Sequence, residues 1–132
     1  MKEFDQDHFR MRISDDLIKE ICVKENKTLN AEDMKLTKDL SLQYKPNSRF
    51  YVLLEGEDNS NLTSEARQLA ASSEYSRYTA ALALCSTKLT HRVMGNLFLK
   101  VSQPKVPTRF FENRQDALTW LRQKIQSEKT RP

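Results

Sequence analysis

The order of the elements that the sequence predicts indicates an α/β fold. Two unbroken apolar runs, at 50–54 and 79–85, are typical of strands that are buried on both faces of a sheet. Capped helices alternate with the strands, which predicts a mainly parallel sheet with right-handed crossovers. We expect a mixed, mostly parallel five-stranded sheet flanked by four helices, in the order β-β-α-β-α-β-α-β-α. One domain takes in 1–132, with its core at about 9–126 and a frayed tail at 127–132.

The first two strands have the pattern of a β-hairpin. Apolar and polar residues alternate from 9 to 14, which is the period of two of a half-buried strand. A turn signal, Asp15-Asp16, separates this segment from 17–24, which is rich in Ile and Val. The hairpin supplies the antiparallel strand of the mixed sheet.

Helix caps place three of the four helices. Asn30 and Asn113 each precede an acidic residue at the third helical position, Asp33 and Asp116, as in a capping box. Thr63 caps the second helix. We predict helices over 30–44, from Thr63, over 88–101 and from Asn113.

Length and flanking residues indicate the remaining strands. Alanine leaves 79–85 ambiguous between helix and strand, but its length of seven and the polar Ser86-Thr87 after it favour a strand. Pro107 lies near the start of the last strand, 106–111, where a missing N–H costs least. We therefore expect an edge strand there.

The composition excludes several classes of protein. The chain has 132 residues and only two glycines, Gly56 and Gly95, where average usage would give about nine. A Walker loop or a dinucleotide-binding fingerprint needs two or three glycines in one short run, so both are excluded. No apolar run is long enough to span a membrane, and the N-terminus has no apolar signal core. We therefore expect a cytoplasmic protein.

Charge is distributed unevenly along the chain. Residues 1–66 carry 10 Lys/Arg and 14 Asp/Glu, a net −4, and residues 67–132 carry 12 and 4, a net +8, which gives the total of +4. Such a chain can pair with a second copy or present a basic face to an acidic partner. Phe110 and Phe111 lie near Lys105 and Arg109, but one face of their strand must be core. We therefore expect a protein partner or a homodimer, and not nucleic acid.

The candidate binding surface follows from the topology, because ligands of open α/β sheets sit outside the carboxyl ends of the strands. The surface combines the loop at 55–64, the helix from Thr63 and the turn after 79–85. The alternative is that these residues are only the polar loops and caps that any such fold needs. The candidate residues are Glu55, Asn59, Ser60, Thr63, Ser64, Ser86, Lys88 and Arg92.

The sequence offers few groups for catalysis. His8 and His91 are the only histidines, so a general base for nucleophilic catalysis would have to be one of them. Two cysteines and two histidines without local ligand spacing predict no metal site, and we expect no cofactor. We therefore expect a protein that is not an enzyme. A weaker alternative is an enzyme that uses His91 with a nearby serine or threonine.

Several segments together resemble the STAS-like superfamily, in its branch of small bacterial proteins that are described as SpoIIAA-like and have no known function. The resemblance covers about 9–126 and implies a mixed sheet flanked by helices. It also implies a regulatory domain that binds another protein. The alternative is a small-molecule or lipid-binding module, because the fold is related to the lipid-carrying CRAL-TRIO domains. The matching segments are 50–54, the helix from Thr63, 80–84, 95–98, 104–111 and 117–121.

One feature of the superfamily is not reproduced. Anti-sigma-factor antagonists have an Asp-Ser pair at the start of the helix after the central strand, and a kinase phosphorylates that serine. The matching stretch, 59–65, lacks the pair. Ser60, Thr63 and Ser64 lie in the right region, so the resemblance makes them candidates for phosphorylation.

Overall fold

The computed structural model describes residues 1–88, 91 and 105–130, and within these ranges it has eight strands and four helices. The strands are β1 Lys2–Asp5, β2 Phe9–Ile13, β3 Ile18–Val23, β4 Thr28–Leu29, β5 Phe50–Gly56, β6 Asn61–Leu62, β7 Thr79–Cys85 and β8 Thr108–Phe111. The helices are α1 Ala31–Tyr44, α2 Ser64–Ala70, α3 Ser73–Ser76 and α4 Arg114–Lys129.

The main sheet is mixed, as predicted, but it has six strands where the sequence predicted five. Their order is β1-β2-β3-β5-β7-β8. The pairs β1–β2 and β2–β3 are antiparallel, and the other three pairs are parallel. The extra strand is β1, which lies at one edge. It has one apolar residue, Phe4, so it lacks the alternation that reveals a half-buried strand.

Most predicted elements are confirmed. The hairpin β2–β3 forms, the run 79–85 is a strand, and β8 lies at the other edge of the sheet, directly after Pro107. The predicted helix at 88–101 lies outside the described residues, apart from 88 and 91. Helix α4 continues to Lys129 and so enters the segment that was expected to fray.

The predicted helix caps also form. The Asn30 side chain accepts a hydrogen bond from the Asp33 N–H, and the Asp33 carboxylate accepts one from the Asn30 N–H. The Thr63 hydroxyl caps α2 in the same way, by accepting the Ala66 N–H at 3.1 Å. These bonds satisfy backbone donors that have no partner inside the helix.

The sheet is covered on both faces, and the alternation of side chains assigns each residue to a face. Helices α1, α2 and α3 cover the first face, where Val23, Leu54 and Leu82 belong to one apolar cluster. Helix α4 covers part of the second face, where Leu53 and Ala83 belong to another. We refer to the side of α1–α3 as the first face and to the side of α4 as the second face.

A two-stranded sheet holds the loop that follows β5. Strands β4 and β6 pair in parallel, with Leu29 opposite Leu62. The Thr63 N–H donates to the Leu29 carbonyl at 3.0 Å. The start of α2 is thereby fixed beside the start of α1. Within the described part of the chain, no helix is both long and apolar enough to cross a membrane.

Candidate functional site

A cavity of about 170 Å³ lies on the first face of the sheet, at the carboxyl ends of β3, β5 and β7. Helix α2 and the loop after β5 close its outer side. Its position is the one that the topology of an open α/β sheet favours for a ligand. Its apolar walls are formed by Val23, Met34, Leu54, Leu62, Leu82, Leu84 and Phe110.

Ser60 supplies a polar group to this cavity. The residue is only 3% exposed. Its N–H donates to the Glu57 carbonyl at 3.2 Å, which fixes the backbone of the turn. The hydroxyl forms no hydrogen bond with a described residue, and it is not sealed off from solvent-sized molecules. The Oγ atom is therefore accessible from the cavity and can bond to water or to a ligand.

Gly56 explains how Ser60 reaches that position. A Cβ atom at residue 56 would overlap Ser60 Oγ and would lie 3.1 Å from Ser60 Cβ. The backbone of Gly56 has no positive φ angle, so the glycine is required for space and not for conformation.

Arg67 borders the cavity from α2. Its Nη1 donates to the Leu62 carbonyl at 2.9 Å, which holds the guanidinium over the end of β6. No ion pair joins Arg67 to a carboxylate of a described residue. The other N–H groups of the guanidinium are therefore available to an acceptor.

Ser86 and His91 form a hydrogen-bonded pair at the rim. Ser86 Oγ lies 2.9 Å from His91 Nδ1 and also accepts the Lys88 N–H at 3.1 Å. The Ser86 N–H donates to the Phe111 carbonyl at 3.1 Å, so the end of β8 fixes this serine. The pair has the spacing of a nucleophile and a base. No carboxylate of a described residue hydrogen-bonds to His91, so the group that orients the base in a catalytic triad is not found among them.

The remaining predicted residues divide between the two faces and the loop. Ser60 and Ser86 meet at the cavity. The Glu55 side chain turns to the second face, where its Oε1 accepts from Arg114 Nη1 at 2.7 Å. Lys88 Nζ lies 3.9 Å from Asp58 Oδ1, and Arg92 lies outside the described residues. Glu55 therefore contributes backbone, and not its carboxylate, to the cavity.

The loop between β5 and β6 is held in one conformation. Asn59 has a φ angle of 57°, in the left-handed region that asparagine tolerates, and its Nδ2 donates to Asn26 Oδ1 at 2.9 Å. The Asn26 N–H donates to the Asp58 carbonyl at 3.1 Å. Asn59 and Asp58 are exposed, as is Ser64 at the start of α2. The loop thus presents exposed polar groups on a fixed backbone.

The three candidate phosphorylation residues differ in access. The Ser60 hydroxyl is buried at the cavity, and the Thr63 hydroxyl is occupied as the cap of α2. Ser64 is exposed. Of the three, Ser64 is the residue that an enzyme can reach without opening the fold.

His8 is held at a defined position away from the cavity. It lies between β1 and β2, and its Nδ1 is 2.8 Å from the Asp33 carboxylate at the cap of α1. His8 therefore has a role in anchoring the first strands. It is not a lining residue of the cavity.

The second face carries a cluster of charges where α4 does not cover the sheet. Arg114 at the start of α4 bonds to both Glu20 and Glu55, and Arg10 bonds to Glu57. These ion pairs join α4 to β3 and β5, and β2 to the loop after β5. Their partners satisfy one another, so this face resembles a solvated sheet surface.

Sequence reasoning missed one charged residue that the structure buries, Lys19, and one that borders the cavity, Arg67. Lys19 in β3 is 3% exposed and lies on the first face with Ile21 and Val23. The spacing of two from these apolar residues was the signal that could have found it. Arg67 follows the buried Ala66 and precedes Ala70 by three positions, so it lies at the border of the apolar stripe of α2.

Comparisons with known proteins agree with the fold and do not extend to a function. No curated protein sequence matches the chain. The structure is similar to the crystal structure of an uncharacterized protein of the DUF3478 family with a SpoIIAA-like fold, from Shewanella loihica PV-4. The TM-score is 0.58 at 17% sequence identity, and the match covers 86% of this chain and 91% of that chain. At this identity the likeness shows the fold alone, which is the SpoIIAA-like α/β fold that the sequence predicted. Residues 11–125 match the model of the family described as Domain of unknown function (DUF7793), and the chain belongs to that family.

Proposed function

We propose that the chain is a non-enzymatic binding domain that holds a small molecule in the cavity at the carboxyl edge of its sheet. The observation that carries this proposal is the cavity itself, which has apolar walls and a few polar side chains at its boundary. That combination is typical of ligand pockets, where apolar surface gives affinity and a few polar groups fix orientation.

The volume of the cavity limits the size of the ligand. An apolar protein cavity of about 150 Å³ holds one benzene molecule. Pockets for drug-sized ligands measure about 300–1,000 Å³, so a cavity of about 170 Å³ is too small for a lipid chain. Of the small molecules and lipids that the resemblance suggests, the geometry supports a small molecule with an apolar body of about ring size.

Local geometry supports a role other than catalysis for Ser86 and His91. Ser86 Oγ accepts the N–H of Lys88, two residues later, as serine commonly does in turns. His91 comes five residues after Ser86 and bonds to the same oxygen. Such a pair holds the rim of a pocket without any need for a third catalytic group.

A matched pair of variants on α2 tests binding in the cavity. Ala70 lines the cavity, whereas Gln68 on the same helix is exposed. We expect toluene and benzamide to shift amide resonances of cavity residues in the wild type and in Gln68→Leu. Ala70→Leu fills the cavity, so we expect both shifts to disappear in that variant. Absence of binding in the folded wild type, or binding that Ala70→Leu leaves unchanged, would refute the proposal.

A separate measurement tests whether the protein lacks hydrolase activity, as we propose. We expect hydrolysis of p-nitrophenyl acetate at the same slow rate in the wild type and in Ser86→Ala, because no residue among those described orients His91. Saturable turnover that Ser86→Ala abolishes would instead identify a hydrolase.

A second candidate function is binding of a protein partner through the exposed loop at 55–64 and the start of α2. The fixed loop conformation favours it, because a surface that is already ordered loses little entropy on association. The partner can be a different protein or a second copy of this chain. Asp58 is 87% exposed in its side chain and lies on this surface.

Charge reversal on the loop tests the second candidate. Native mass spectrometry of the protein from its own source reports subunit number, bound protein and bound ligand together. We expect an assembly to be lost in Asp58→Lys and kept in Asp39→Lys, which alters an exposed residue of α1. A monomer that carries a small ligand and no bound protein would refute partner binding and would leave small-molecule binding as the function.

A further inference from the structure

We infer that the ligand of the cavity is a small monocarboxylate, either aromatic or short-chain aliphatic. This inference rests on the proposed function, since it names the chemical class that the same cavity selects. Its basis is two lining residues, Ser60 and Arg67, which have donor groups without an acceptor among the described residues.

Ser60 provides the first donor. The residue is 3% exposed, and its hydroxyl, which is accessible from the cavity, has no hydrogen-bond partner among the described residues. Gly56 leaves open the space that this hydroxyl occupies. An oxygen atom of a ligand in the cavity would satisfy it.

Arg67 provides the charge. One N–H of its guanidinium is used by the Leu62 carbonyl, at 2.9 Å, and the rest of the fork is not paired with a described carboxylate. A planar fork of this kind matches the two oxygens of a carboxylate, and charge-assisted bonds are stronger than neutral ones.

The electrostatic surroundings favour an anion in the cavity. Glu55 is the one acidic residue among its described lining residues, and its carboxylate is held by Arg114 on the second face. His91 also borders the cavity. When the Ser86 hydroxyl donates to Nδ1, the neutral ring carries its proton on Nε2, which is then a further donor.

The volume of the cavity then limits the size and charge of the acid. The polar donors occupy the boundary, and the apolar volume of about 170 Å³ takes one ring or a short chain. A dicarboxylate would place its second charge against apolar walls, which is strongly unfavourable. Benzoate and hexanoate have the required form.

Paired probes of equal shape test the inference. Benzoate and benzamide differ in charge and little in size, so their affinities are compared by titration of the intact chain. We expect benzoate to bind at least roughly tenfold more tightly than benzamide, the factor expected for a charge-assisted bond. In Arg67→Met the preference should fall to within roughly threefold, while Arg77→Met, which alters an exposed arginine after α3, should keep it.

Ser60→Ala separates a binding role from a structural one. Because the Ser60 hydroxyl has no protein partner, we expect the variant to melt at or above the wild-type temperature and to bind benzoate roughly threefold to tenfold more weakly. This variant also keeps the inference testable if Arg67→Met does not fold.

The outcomes distinguish this inference from the proposed function. Equal affinity for the two probes, or tighter binding of benzamide, would overturn the carboxylate assignment and leave a cavity that binds small molecules. Binding of neither probe would overturn both. A benzoate preference that Ala70→Leu or Arg67→Met leaves unchanged would place the anion outside the cavity and refute the inference.

Discussion

Replacing Lys19 with methionine is expected to stabilise the fold at neutral pH. Lys19 lies on the first face, is 3% exposed and forms no ion pair with a described carboxylate. Its Nζ lies 5.6 Å from the ring centroid of Phe50 and 6.0 Å from that of Tyr75. Burial lowers the pKa of Lys19 from 10.5 to about 7. Methionine retains a similar unbranched shape without the charge.

The lowered pKa sets the size of the effect. The difference of about 3.5 between the two pKa values corresponds to about 5 kcal/mol, at about 1.4 kcal/mol for each unit of pKa. At pH 7 about half of the folded molecules carry the proton, so the penalty is about 4 kcal/mol. Loss of the cation–π contacts with the rings of Phe50 and Tyr75 offsets about 1–2 kcal/mol of the gain from removing this penalty. We therefore expect Lys19→Met to raise the free energy of unfolding by about 2–3 kcal/mol.

The pH dependence has a definite sign. The unfolded state binds more protons than the folded state between pH 7 and pH 10.5, so stability of the wild type rises through this window. The penalty is fully present below about pH 7 and vanishes above about pH 10.5. The advantage of Lys19→Met should therefore shrink by about 2 kcal/mol between pH 7 and pH 9.

Urea unfolding at pH 6, 7 and 9, followed by the fluorescence of the single tryptophan, Trp120, measures these differences. Lys35→Met alters an exposed lysine on α1 and is the control, for which we expect a change within about 0.5 kcal/mol at each pH. A Lys19→Met variant that is less stable than the wild type at pH 7, or an advantage that does not vary with pH, would refute the reasoning.

Three further predictions concern the loop and α2. Gly56→Ala should lower the free energy of unfolding by about 1–3 kcal/mol because the new Cβ overlaps Ser60. Adding Ser60→Gly to this variant should restore part of the loss in urea titrations. If the effects of the two substitutions simply add, the contact is contradicted. Thr63→Ala should lower stability by about 1 kcal/mol through loss of the cap, whereas Ser64→Ala should be nearly neutral; equal losses would count against the capping assignment. Of Ser60, Thr63 and Ser64, we expect only Ser64 to be phosphorylated in native cells, and peptide mass spectrometry that finds phosphate on Ser60 would contradict its burial.

Much of the fold could be predicted because the signals are local. Period-two alternation marked β2, an unbroken apolar run marked β7, and the caps at Asn30, Thr63 and Asn113 marked three helix starts. Strand β1 could not be found in this way. Its sequence, Lys2 to Asp5, is mostly charged, as is common at an edge, and only pairing with β2 makes it a strand.

The cavity lies where the topology of the sheet places ligands, but most of its lining residues could not be predicted from the sequence. Topology placed it at the carboxyl ends of the strands, and Ser60 and Ser86 do meet at a cavity there. The direction of the Glu55 side chain follows from alternation, because Leu54 faces the first face and its neighbour must face the second. The role of Arg67 depends on where α2 lies over β6, and that contact joins elements whose packing the sequence does not encode locally.

Ser60 shows how one residue connects folding with binding. Elsewhere in the same apolar layer, buried hydroxyls are paired: Thr37 Oγ1 and Tyr75 Oη lie 2.8 Å apart, and Tyr75 donates to the Met34 carbonyl at 2.8 Å. The fold thus satisfies polar groups that nothing else can reach. It leaves the Ser60 hydroxyl unpaired at a cavity and keeps a glycine, Gly56, where alanine would displace it. Because the cavity admits water-sized molecules, this hydroxyl needs no protein partner for stability and stays accessible to a ligand, whereas the buried Thr37 and Tyr75 hydroxyls must be paired within the fold.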